Sequence, residues 1–284
     1  MTEEISMPED WNDHEGWERY YASLFPNGSR VPPSLINEMQ SEDGLFDFYL
    51  RIWTCLIGDK RGLIDFVHEL KADKVETIWV SGCGISLLPK LLARAGFTVH
   101  ATDVSPTAIE FQKSSEAEIE NTLDKIIEPS VSTGSLACEV HDFRQRYLDN
   151  YFDFIINVRA FQKFDYETMK QVGKVHYNSL KPSRTALFYG KHLRGELLDR
   201  FRESLHSVGF LIPEYETTRW FEVKLKEITI ERIEGENDGD YLMHYLESIS
   251  PEHGRRILGE RAAQKGYLEA NPDTRIAKIA YDSA

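Results

Sequence analysis

Cysteine is scarce. Cys55, Cys83 and Cys138 are the three in 284 residues, widely spaced and odd in number, which excludes a disulfide framework and a zinc cluster. Long apolar runs are missing too: none reaches the roughly 18 residues of a membrane-spanning helix. The opening MTEEISMPED has neither the basic nor the apolar region of a secretory signal, so a reducing cytoplasm is the expected compartment. Basic charge is in deficit, with 33 Lys and Arg against 47 Asp and Glu and a net charge of −14. A field of that sign, with no long Lys/Arg run to override it, disfavours nucleic acid and anionic membranes as partners. The nine histidines form no H-x-x-x-H pair and ENDGD lacks the closing glutamate of a calcium loop, so no metal site is expected. There is no internal repeat and no low-complexity linker.

What is present suits a large core: 41% hydrophobic residues and 12% aromatics. The length suits one large α/β domain with additions. Residues 10–25 place Trp17, Tyr20, Tyr21 and Leu24 on one helical face, and 45–57 and 60–71 read as further helices. Strands and helices then alternate. The strands are expected at 76–82, 97–105, 136–143, 151–158 and 184–193, with helices at 86–96, 106–118, 165–180 and 195–210. Such units imply a three-layer α/β/α sandwich around a mostly parallel, doubly wound, seven-stranded sheet, with N-terminal helical and C-terminal additions. The phase slip between FEVKL and ITI in 211–233 suggests the closing edge of the sheet. The tail reads as helical from Tyr241 to about Gly266 and irregular beyond. The expected divisions are a cap at 1–72, a core at 73–233 and a helical tail at 234–284.

The stretch WVSGCGISLL, 79–88, turns from strand to helix through Gly82, Cys83 and Gly84. Glycines there either turn a corner or let a ligand lie against the backbone. A phosphate-binding P-loop would need a lysine after the second glycine, and a dinucleotide site a third glycine where Leu87 stands. A nucleoside without a pyrophosphate asks less of the loop. Asp103, at the next strand end, could grip a ribose diol or merely cap a helix. Asp142 and Phe143, in HDF, could meet an adenine amino group and ring, or be an ordinary surface acid and its neighbour. Asn157 and Arg159 would reach the same crevice. Arg159 could hold a substrate carboxylate or a structural ion pair. Trp17 and Tyr21 could line a pocket or pack in the core, and Cys83 reads as a space-filler.

VSGCGIS, ATDVSPTAI, HDF and FDFIINVRAFQKF, in this order, resemble the class I S-adenosylmethionine-dependent methyltransferases over roughly residues 76–210, most of all the thiopurine methyltransferase type. The resemblance implies S-adenosylmethionine as cofactor. Gly82, Cys83 and Gly84 would hold its methionine part, Asp103 with Val104 its ribose, and Asp142 and Phe143 its adenine, with Asn157 beside the methyl-donor face. Arg159, Trp17 and Tyr21 would meet a small-molecule acceptor. No catalytic residue is assigned. Two positions depart from the family pattern: Val80 stands where an acid is usual and Ser86 where the loop's last glycine is usual. The LKPSRT turn also replaces a PGG turn. A non-catalytic, methyltransferase-like binding protein is therefore the competing expectation.

Overall fold

A computed structural model describes residues 7, 8, 10, 12–26, 29–33, 60–126, 134–158, 160, 161, 164–190, 195–212, 271 and 273–280. The helices are α1 (His14–Ser23), α2 (Lys60–Ala72), α3 (Leu88–Arg94), α4 (Pro106–Lys113), α5 (Ala117–Ile126), α6 (Tyr166–Ser179) and α7 (Gly195–Ser207). The strands are β1 (Thr77–Ser81), β2 (Thr98–Asp103), β3 (Ser135–Val140), β4 (Phe152–Val158), β5 (Leu180–Tyr189), β6 (Phe210–Leu211) and β7 (Arg275–Ala280).

Side-chain caps start the helices. Asp13 accepts from Gly16 N, Asp165 from Thr168 N, and Ser105 from Ala108 N, with Pro106 in the first turn of α4. The Asp13 cap places the start of α1 later than the expected residue 10. At the end of α2 the Val75 amide bonds Leu70 O and the Lys74 amide bonds Lys71 O, with Lys74 at φ 54°. This is a Schellman closure, which favours glycine at the left-handed position. Lys74→Gly is expected to raise stability by about 0.5 to 1 kcal/mol, because the left-handed strain outweighs the freedom gained by the unfolded chain. A urea midpoint that falls instead would refute this.

The strands form one seven-stranded sheet in the order β3-β2-β1-β4-β5-β7-β6, and every pairing is parallel. Interior strands are largely apolar on both faces: Phe152, Phe154, Ile155 and Ile156 of β4 and Leu187–Tyr189 of β5 are buried. One core, with Ile78, Val80, Leu91, Ile109 and Phe154, lies against α2 to α5. The other, with Trp79, Ile155, Phe188, Val172 and Phe201, lies against α6 and α7. This is the expected α/β/α sandwich.

Two expectations are revised. Residues 275–280, read as irregular tail, form β7, inserted between β5 and β6. Their pattern hid them, since a six-residue strand beginning with Arg275 looks polar. The Arg275 guanidinium is in fact absorbed by Leu180 O at 2.7 Å, Asn150 Oδ1 at 2.6 Å and the Tyr177 ring at 4.4 Å. β5 begins at Leu180 rather than 184, through a register shift opposite Phe152 and Phe154. The segment read as a closing edge, from 213 onward, and the helices read at 45–57 and 241–266 lie outside the described residues.

The strand order reverses between β1 and β4. From β1 the chain runs outward to β2 and β3, then returns to the far side with β4. That switch opens a crevice at the carboxyl ends of the two central strands. In-register pairing sets Ser81 beside Thr102 on one side and Asn157 on the other, so the tips of three strands end level.

Candidate functional site

The corner after β1 is held from three directions. Gly82 and Gly84 both take positive φ, 65° and 50°, which β-carbon-bearing residues rarely adopt. The Cys83 amide bonds Thr102 O at 3.0 Å and the Gly84 amide bonds Asp103 Oδ2 at 2.9 Å, stitching the loop to the end of β2. From α4, the buried Gln112 donates to Gly84 O at 2.9 Å and Ser86 O at 2.7 Å. Ser86 Oγ in turn accepts from Leu88 N at 3.1 Å, so the residue replacing a glycine starts α3.

Asp103 is buried, with Oδ1 accepting from Ser105 N at 3.0 Å and Oδ2 from Gly84 N at 2.9 Å. Burial pushes its carboxyl above the ordinary carboxylate value, against these amide bonds, and the nearby Glu18 adds to the rise. The carboxylate is thus held by backbone amides, and its two oxygens together have lone pairs left to offer. Val104, beside it, is partly buried.

α1 lies across this corner. Its half-buried Glu18 accepts from Ser105 Oγ, Thr107 Oγ1 and Thr107 N at the start of α4. Burial opposes the Glu18 charge, but those bonds hold its carboxyl below the ordinary value. Tyr21 roofs the loop: a Cβ added to Gly84 would stand 2.5 Å from its Oη. Burial, then Asp103, raise the Tyr21 phenol well above its ordinary value. Trp17 stacks on Tyr21 with ring centroids 5.8 Å apart. Burial, then Asp103, likewise raise the Cys83 thiol, which is the signature of a space-filler rather than a nucleophile.

Phe143 faces the same corner: its ring lies 3.2 Å from where a Cβ on Gly82 would stand, and Ala160 Cβ lies 2.5 Å from it. Asp142 is already paired. Its oxygens take the Arg144 Nε at 2.9 and 3.0 Å, and His14 of α1 lies 3.5 Å away. Burial opposes its charge, but Arg144 holds the carboxyl below the ordinary value. Arg144 also donates to Asn12 and His14, fastening the start of α1 over the tip of β3.

Asn157 is fully buried at the end of β4 and donates through Nδ2 to Ser81 Oγ at 2.8 Å. Ser81 Oγ lies 2.7 Å from His176 Nε2, and His176 Nδ1 lies 2.7 Å from Val172 O. Ser81, His176, Glu18 and Gln112 escaped the sequence reading, because each joins the site only through a partner distant in sequence. Arg159 lies outside the described residues. Among the described residues no group of three or more His, Cys, Asp or Glu is placed to hold a metal ion, and no helix is long and apolar enough to cross a membrane.

Residues 80–188 match a family model described as a methyltransferase domain. No protein of curated function matches the chain. Among solved structures it is similar to a TehB-like S-adenosylmethionine-dependent methyltransferase from Corynebacterium glutamicum, at 16% identity and TM-score 0.36 over 50% of this chain and 71% of that one. It is similar to the PH0226 protein of Pyrococcus horikoshii, at 24% identity and TM-score 0.34 over 55% and 70%. A third is magnesium protoporphyrin IX methyltransferase from Synechocystis PCC 6803 with bound S-adenosylmethionine, at 17% identity and TM-score 0.37 over 54% and 69%. Of some other matched structures the chain spans about half: 46% of one concerned with echinomycin biosynthesis and 49% of a Methanosarcina mazei protein.

Proposed function

We propose that this chain is a class I S-adenosylmethionine-dependent methyltransferase that passes a methyl group to a small-molecule acceptor, a reading supported by the match of residues 80–188 to a methyltransferase domain. The observation that carries the reading is Asp103. It is a buried carboxylate at the tip of β2, beside two positive-φ glycines, with acceptor capacity left. These residues fit an adenosyl group: Asp103 would take the two ribose hydroxyls, the Gly82–Gly84 backbone would lie along the amino-acid part, and Phe143 would face the base. When bound, S-adenosylmethionine supplies an electrophilic methyl on a sulfonium.

The protein's part is alignment and exclusion of water. Holding an acceptor in line with the methyl can account for most of the rate gain, and no described residue has to act as a base unless the acceptor's proton is tightly held. The Glu18 latch and the Tyr21 roof keep α1 over the crevice. Residues 1–72 would then form the acceptor side, with Trp17, Tyr21 and Arg159 as candidate contacts. A net charge of −14 favours a neutral or cationic small molecule over nucleic acid.

A second reading, a binding protein that has lost catalysis, draws on Val80 in place of an acid and on Tyr21 lying over Gly84. Calorimetry with S-adenosylmethionine and S-adenosylhomocysteine separates the two. Micromolar binding is expected, and lack of binding up to millimolar concentration would favour the second reading. Gly84→Val is expected to abolish binding, since its side chain would collide with Tyr21 and strain a left-handed backbone. Unchanged affinity in that variant would remove the glycine corner from the site.

A further inference from the structure

The polarity of the Asn157–Ser81–His176 chain can be fixed atom by atom. Val172 O only accepts, so His176 Nδ1 carries the proton and Nε2 is left as an acceptor. The Ser81 hydroxyl has one hydrogen. The 2.7 Å contact to Nε2 claims it over the 3.5 Å approach to Ile156 O. Ser81 Oγ therefore accepts from Asn157 Nδ2, which fixes the amide orientation. The chain ends at Asn157 Oδ1, a buried acceptor that no donor among the described residues reaches. An atom left unpaired there has given up its water without a replacement.

The surroundings hold this arrangement rigid. His176 stacks on Trp79 at 4.7 Å and 15°, and the Trp79 Nε1 bonds Thr102 Oγ1 at 2.9 Å. Burial lowers the His176 pKa to about 4, so the ring is neutral and the polarity constant across the physiological range. Asn157 stands in register with Ser81, the residue before Gly82, at the tips of the two strands between which the crevice opens. Among the described side chains at those two tips, Val80 and Val158 are apolar, and the Ser81 hydroxyl already donates to His176 and accepts from Asn157. Of these polar groups the amide oxygen is the one without a partner among the described residues.

We infer that Asn157 Oδ1, oriented through Ser81 and His176, accepts a hydrogen bond from the primary amino group at the amino-acid end of the methyl donor. Asn157 is then a binding residue, while Ser81 and His176 are positioning residues. A neutral amide, rather than a carboxylate, holds a cationic group there by a preorganised dipole. This rests on the methyltransferase reading and adds a specificity to it: the chain discriminates for the amino group.

The experiment compares three probes by calorimetry on the full chain: S-adenosylhomocysteine, its des-amino analogue, and 5′-methylthioadenosine, which lacks the amino-acid end. The unaltered chain should bind the des-amino analogue at least tenfold more weakly than S-adenosylhomocysteine. In Asn157→Leu that ratio should fall to within about twofold of unity, with 5′-methylthioadenosine affinity unchanged. Ser81→Ala, which frees the amide to rotate, should narrow the ratio in the same direction and serves if the leucine variant does not fold. Equal losses for all three probes would show a merely structural role and overturn the inference. So would a ratio near unity in the unaltered chain that still binds S-adenosylhomocysteine tightly. Failure of the unaltered chain to bind any of the three would overturn the methyltransferase reading itself, and this inference with it.

Discussion

Asp103→Asn is expected to weaken S-adenosylhomocysteine binding about 100-fold, the loss that follows when two charge-assisted hydrogen bonds become neutral or vanish. The same change turns an amide NH2 toward either Gly84 N or Ser105 N, which now bond the carboxylate at 2.9 and 3.0 Å, so the unliganded protein should also lose about 1–3 kcal/mol. Calorimetry at fixed pH reads the first effect and a urea midpoint the second. A variant that binds as tightly as the parent would remove Asp103 from the nucleoside site. The pH dependence has a defined sign. Burial raises this carboxyl above its ordinary value, so the unliganded folded state holds its proton more tightly than the unfolded chain does. Part of its stability is therefore lost as pH rises from the ordinary carboxylate value through the raised one. A ligand that donates two hydroxyl hydrogens favours the ionised form. Affinity should fall as pH drops through the raised pKa, and binding near that pH should release protons, detectable by repeating the titration in buffers of different ionisation enthalpy.

Asp153→Ala is expected to cost about 3–5 kcal/mol of stability, the range for removing one partner of a buried charged network. Asp153 is 3% exposed on β4, at the end of the sheet opposite the crevice. Its Oδ2 accepts from Glu76 N at 3.1 Å, Thr77 N at 3.0 Å and Thr77 Oγ1 at 2.9 Å. Its Oδ1 faces Lys181 Nζ at 3.0 Å and Arg184 at 3.2 Å. Alanine would remove the shared acceptor from all of these donors at once, although Arg184 keeps its bond to Asp73 O. Burial opposes the Asp153 charge, yet the Lys181, Thr77 and Glu76 bonds hold its carboxyl below the ordinary value. Its contribution is thus complete above the ordinary carboxylate pKa and lost as pH falls through the lower, folded one. The gap in urea midpoint between parent and variant should be wide at neutral pH and close at strongly acid pH. A gap below 1 kcal/mol at neutral pH would show that water replaces the carboxylate without penalty. The network also locks β1, β4 and β5 in register, and that register puts Ser81 opposite Asn157 at the other end.

The parts of the site legible in the sequence are those whose cause is local. Gly82 and Gly84 stand out because a left-handed backbone asks for glycine at that residue, and Asp103 because an acid closing a strand before Ser-Pro is a local pattern. The alternation of strand and helix declared the layers for the same reason. What stayed hidden depends on pairing at a distance. Ser81 and His176 are 95 residues apart in the chain, and Glu18 and Thr107 are 89 apart. No spacing rule connects such residues before the strand order is known. Asp142 shows the opposite case, where a partner two residues away, Arg144, bonds an acid read as a ligand contact.

The position of β7 bears on how the chain is made. Its partner β5 is synthesised about ninety residues earlier, and the flanking β6 more than sixty residues earlier. Until residue 280 has left the ribosome, β5 presents an unpaired apolar border and β6 has no neighbour on that flank. Such late, long-range closure makes for slow folding and a window in which nascent chains can join edge to edge. Yield should therefore respond to translation speed and to chaperones that shield strand borders, more than the final stability of the finished sheet would suggest.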